Sequence, residues 1–111
     1  MKNYYVIKMY PFNPNPMLEA LTGGWMPLVQ IAGGEGMACV FTSHGKAEDY
    51  KNSYDQQAMG QIRKYEITAM SADEVKNLNL LSDKITIVAV DPTLVYGQFS
   101  VGKVIPIYEF S

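Results

Sequence analysis

The stretch CVFTSHGKAEDY, Cys39 to Tyr50, gathers a thiol, two hydroxyls, a histidine and two carboxylates. Nucleophilic catalysis would take Cys39 or Ser43 as nucleophile and His44, the only histidine, as its base. Ser43 and His44 are adjacent at a strand-to-helix turn, where a nucleophile elbow would sit. The elbow needs G-x-S-x-G, however, and FTSHG carries Phe41 in place of the first glycine. Cys39 lies between Ala38 and Val40 in an apolar run, where a thiol behaves as a small inert hydrophobe. Ser43 therefore reads as a helix N-cap and His44 as a solvated first-turn residue. An acid–base alternative needs a carboxylate from elsewhere in the fold. Asp91, at the end of a predicted strand, is the best placed. That site, for a small enzyme or ligand-binding domain, requires His44 within hydrogen-bond reach of Ser43 or Asp91 in a concave pocket.

Metal chemistry has less support, because one histidine and one cysteine fall short of the ligand sets zinc takes. The carboxylates pair only as Glu48-Asp49 and Asp73-Glu74. Sequence neighbours on a helix point about 100° apart, so neither pair converges on an ion. No EF-hand spacing occurs. GGEG (Gly33–Gly36) is followed by a strand and lacks G-K-[ST], which makes it a hairpin turn rather than a phosphate loop. No metal or cofactor is expected. One weak ligand position remains: Ser43 and His44 at a helix N-terminus, where an anion would find free N–H groups.

The elements that position these residues follow from local patterning. YYVIKMY (Tyr4–Tyr10) is aromatic and β-branched and reads as a strand, ended by PFNPNP. Asn15 suits an N-cap, Pro16 a first helical position and Gly23 a left-handed stop, which bounds a short helix over MLEALT. PLVQIAGGEGMACVFT reads as a hairpin. Ala47, Tyr50, Tyr54 and Ala58 recur at helical spacing between Ser43 and Gly60. IRKYEIT predicts a strand to Thr68 with Tyr65 and Ile67 on one side. Ser71 and Glu74 have capping-box spacing, flanked by Met70 and Val75 as a hydrophobic staple, which predicts a helix over Ala72–Leu80. Ile85–Val90 is apolar on both faces and belongs in a sheet centre, ended by Asp91-Pro92. LVYGQFS and KVIPIYEF read as two further strands around Gly102, with Pro106 pushing the last to an edge or bulge. This order predicts a single α+β domain over residues 1–111. Its expected architecture is one mixed or mostly antiparallel sheet with two or three helices packed on it.

Composition narrows the function classes. The chain has 111 residues, 48% hydrophobic and 18% charged, which is enough for one core without disulfides. Nine Lys and Arg against eleven Asp and Glu give no basic face for phosphate, so nucleic acid is not an expected partner. Runs such as IVAV fall far short of a membrane span, and MKNYYVIKMY has no signal-peptide h-region. The single cysteine fits a reducing compartment, and the cytoplasm is the expected location. What stands out is aromatic content: eight tyrosines, four phenylalanines and one tryptophan. Tyr4, Tyr10, Tyr50, Tyr54, Tyr96 and Tyr108 cannot all be buried, and tyrosine is favoured in interfaces. Trp25, Tyr54, Tyr96 and Tyr108 are the candidate interface residues.

VFTSHGKAEDYKNSY, YEITAMSADEV and ITIVAVDPTL together resemble SseB-like N-terminal domains over roughly residues 37–94. Those domains carry a strand, a turn and a helix, then a strand and a capped short helix, then a strand ending near an Asn-Pro pair. Asp91 stands here where asparagine is usual. The resemblance implies an α+β domain without an established catalytic apparatus and with an accessory or binding role. It supplies no functional residues to carry over. The leading expectation is thus a small non-enzymatic domain that contacts a protein partner or associates with itself.

Overall fold

A computed structural model describes residues 3–111. Met1 and Lys2, which open the stretch read above for a leader, lie outside the described residues. The elements run β1 (Asn3–Pro11), α1 (Pro16–Thr22), β2 (Met26–Pro27), β3 (Val29–Ala32), β4 (Glu35–Phe41), α2 (His44–Ala58), β5 (Ile62–Ser71) and α3 (Ala72–Lys76). A 3-10 turn, Asn77–Leu80, continues α3. After it come β6 (Ile85–Val90), β7 (Thr93–Val95), β8 (Gln98–Ser100), β9 (Lys103–Pro106) and a closing 3-10 turn at Ile107–Glu109. Seven strands form one mixed sheet, and β7 with β8 form a separate two-stranded one. The fold is α+β. The small second sheet is an addition to the single sheet that the sequence suggests.

The helix ends form where local chemistry puts them. The Leu18 N–H donates to Asn15 Oδ1 (2.7 Å), Pro16 opens the helix, and Gly23 closes it in the left-handed region. At α3 the capping box is complete: the Glu74 N–H donates to Ser71 Oγ (3.2 Å) and the Ser71 N–H to Glu74 Oε1 (3.1 Å). Met70 and Val75, the expected staple, are both buried in one cluster. The α-helix ends at Lys76 rather than Leu80, tightening to a 3-10 turn whose Leu78 is buried in the same cluster as Val75. In α2 the left-handed stop begins at Met59 (φ 52°), one residue before Gly60.

β4 and β6 pair in parallel; every other described pairing is antiparallel. β1 pairs along its whole length with β5 on one side, from Asn3 opposite Ser71 to Pro11 opposite Ile62. On its other side it meets β4 at Tyr5 and Val6, then β2 at Lys8 and Met9. β1 and β4 thus diverge, and the chain from Met26 to Ala32 fills the fork. Leu28, fully buried, ties both arms: its N–H donates to the Ile7 carbonyl (2.9 Å) and its carbonyl accepts from Cys39 N–H (3.3 Å). β6 lies between β4 and β9, as its two-sided apolar pattern predicts, and Pro106 ends the β9 edge. A bulge at Thr86 lets Gly36 approach β6 so closely that a Cβ there would stand 2.9 Å from the Lys84 carbonyl oxygen.

Both sheet faces are covered. One carries Tyr4, Val6, Val40, Val88 and Phe110 beneath α3 and the closing turn. The other carries Ile7, Cys39, Phe41 and Tyr50 beneath α2, with Leu94 from the small sheet. Tyr65 and Ile67 both pack on this second cluster. No helix among the described residues is long and apolar enough to cross a membrane.

Candidate functional site

The parallel strands β4 and β6 end side by side, and the chain leaves each by a turn: Thr42-Ser43 into α2, and Asp91-Pro92 into β7. Carboxyl ends of adjacent parallel strands are where open sheets present loops to ligands. Here the two turns are buckled together. The Asp91 N–H donates to the Val40 carbonyl (2.8 Å). Asp91 Oδ1 accepts from the Thr42 N–H (2.8 Å), and Oδ2 accepts from the Thr42 hydroxyl (2.7 Å) and Lys46 Nζ (3.2 Å). Asp91 has φ 51°, a left-handed conformation that aspartate tolerates better than most side chains. Burial disfavours its charge, but the two Thr42 donors and the Lys46 ammonium outweigh that and hold the carboxyl below its ordinary value.

Past Asp91 the chain forms the β7–β8 hairpin, which stands over α2. Leu94 is buried and Phe99 half-buried against the α2 face of the sheet, while Val95 is exposed. Between hairpin and helix lies an open groove of about 470 Å3, bordered by Lys46, Asp49, Ser53, Asp91 and Val95. A second recess of about 580 Å3 continues it past Gln56 and Gln57 to the hairpin tip. The tip is Tyr96-Gly97, with φ 50° and 78°, the paired positive values of a two-residue I′ turn. The Tyr96 side chain is fully exposed.

The structure does not bring Ser43, His44 and Asp91 together as an acid–base site. Ser43 Oγ caps α2, accepting from the Lys46 N–H (3.2 Å). The His44 ring, with 57% of its side-chain surface exposed, lies edge-on to Tyr5, and its Nδ1 is 3.8 Å from Glu48 Oε2. The Asp91 carboxylate is taken by Thr42 and Lys46. Cys39 is buried, and burial pushes its thiol up to about 12, against reactivity at neutral pH. Among the described residues no three of His, Cys, Asp and Glu gather as a metal ligand set.

The four aromatic residues chosen from sequence divide in two. Trp25 is half-buried, with Lys8 Nζ 4.6 Å from its ring centroid, and Tyr54 is half-buried edge-on against Tyr65. Tyr96 and Tyr108 are exposed, at the hairpin tip and in the closing turn respectively. Thr42 and Lys46 were not singled out by sequence; the only signal was a hydroxyl and a cation flanking the predicted cap. The Tyr96-Gly97 turn was also missed, since LVYGQFS reads as one strand and is in fact two strands and their turn. Comparison with protein-family models and with curated proteins returns no match for this chain.

Proposed function

We propose that this chain is a non-enzymatic binding domain that contacts a protein partner through the β7–β8 hairpin and the groove beneath it. One observation carries the reading: Tyr96 is fully exposed while held at φ 50°. A tyrosine in the left-handed region costs about 1 kcal/mol relative to glycine or asparagine. The ring stands in solvent, so no packing among the described residues offsets that strain. A large amphipathic ring held out on a rigid two-residue turn, beside exposed Val95, offers contact area at low entropy cost. The accessory role implied by the SseB-like resemblance agrees with this reading. So does a cytoplasmic setting, where the buried Cys39 stays a thiol. The partner is protein rather than nucleic acid, given eleven acidic against nine cationic side chains.

The test is Tyr96→Asn, which suits the I′ turn better. Immobilised wild-type chain should retain a protein from its source lysate, and the variant should lose that protein while melting at a higher temperature. Equal retention by both would remove the hairpin from the interaction, and no retention by either would remove the binding role.

A further inference from the structure

The two edges of the large sheet are built differently. β9 is four residues long and ends in Pro106, both of which blunt an edge. β5, at the other edge, has ten residues from Ile62 to Ser71, contains no proline and pairs only with β1 among the described strands. Arg63, Lys64, Glu66 and Ala69 are exposed along it. Lys64 and Glu66 lie on one face, opposite Tyr10 and Lys8 of β1 respectively. Glu66 uses a single oxygen inside the chain. Its Oε1 receives Lys8 Nζ (3.8 Å), the Tyr10 hydroxyl (3.4 Å) and the Thr68 hydroxyl (3.4 Å), and no described contact reaches Oε2. The Lys64 ammonium lies 4.9 Å from the Tyr10 ring centroid and, among the described residues, has no carboxylate within 4 Å.

We propose that β5 pairs antiparallel with β5 of a second copy, about a two-fold axis through Tyr65, extending the sheet across a symmetric dimer. An axis perpendicular to the sheet keeps equivalent side chains on the same face, so residue pairs must be of like parity. Centred on Tyr65, each Lys64 faces Glu66 of the other copy, which makes two cross-strand ion pairs and uses the free Oε2. The neighbouring permitted registers are disfavoured. Centring on Lys64 sets lysine against lysine, and centring on Glu66 sets glutamate against glutamate. The edge thus carries a charge pattern that recognises its own copy in a single local register. This pairing is independent of the hairpin.

Mixing charge-reversed chains tests it, read by light scattering after size exclusion, with circular dichroism to verify folding. Wild type should reach dimer mass with rising concentration. Lys64→Glu and Glu66→Lys should each weaken dimerisation by on the order of tenfold or more, since like charges then face each other twice. An equimolar mixture of the two variants restores both opposite-charge pairs and should recover the dimer mass. If Glu66→Lys misfolds beside Lys8, Lys64→Glu alone, which leaves the Lys8 contact intact, must still shift to monomer. Tyr96→Asn should keep the dimer, which separates this outcome from loss of the hairpin partner. A wild-type monomer up to about 1 mM, variants that dimerise as wild type, or a mixture that stays monomeric would each overturn the proposal.

Discussion

Two hairpins in this chain close on the same kind of turn with opposite materials. β3 and β4 meet through Gly33-Gly34, at φ 60° and 82°. β7 and β8 meet through Tyr96-Gly97, at φ 50° and 78°. The first lies within the large sheet, with β4 clasped by β1, β3 and β6. The second is a separate pair of three-residue strands, held to the body by Leu94, Phe99 and the Asp91 buckle. Glycine removes strain where the sheet depends on the turn. Tyrosine keeps strain where the turn reaches solvent. Leu94 and Phe99 anchor the second hairpin to the core, while its strained tip adds nothing to that packing, which is the basis of the contact proposed for it.

The contrast can be broken from either end. The largest effect is expected at Gly36→Ala in the first hairpin. The new Cβ would meet the Lys84 carbonyl oxygen at 2.9 Å and Val29 Cγ1 at 3.2 Å, so the β4–β6 pairing must shift. A loss of about 2–3 kcal/mol in chemical denaturation is expected, and wild-type stability would show the bulge to be pliable. Next is Asp91→Ala at the root of the second hairpin. It removes the acceptor of the exposed Thr42 N–H and hydroxyl and puts alanine at φ 51°, for about 1–2 kcal/mol. Hydrogen exchange should quicken over Thr93–Ser100 more than over Val29–Phe41; equal quickening would mean that the buckle serves the sheet, not the hairpin.

Acid gives a smaller effect with a definite sign. Asp91 is held below its ordinary value, so its share of stability is complete above the usual aspartate pKa of about 3.9 and is lost as pH falls through its own lower value. From about pH 4 downward the second hairpin should loosen before the first. Asp91→Asn, which cannot titrate, should lack this step in the same exchange measurement. The smallest expected change is a gain: Tyr96→Asn should stabilise by about 0.5–1 kcal/mol, or roughly 2–4 °C in Tm. A destabilised variant would mean that the tyrosine ring supports the fold.

What was legible in sequence was local. Asn15-Pro16, Gly23 and the Ser71–Glu74 box fix helix ends through bonds spanning three or four residues, and each forms at its expected position. Gly33-Gly34 signals its turn for the same reason. The Asp91 buckle joins residues 49 apart and exists only once β4 and β6 lie parallel, so no spacing encodes it. The Met26–Ala32 wedge is likewise set by the diverging arms it fills. The second hairpin hid because tyrosine is not a turn former; the strain that makes Tyr96 informative also concealed it. β5 runs to Ser71, past the predicted Thr68, because β1 offers partners all the way to Asn3.

The forked position of β1 carries a consequence for synthesis. It precedes all of its partners in the chain, residues 26–27, 40–41 and 62–71. A nascent chain can therefore give β1 only the short contacts with residues 26–27 and 40–41, and its edge facing β5 stays unpaired until residues 62–71 have been made. Until then that edge of β1 is open to pairing with strands of other chains.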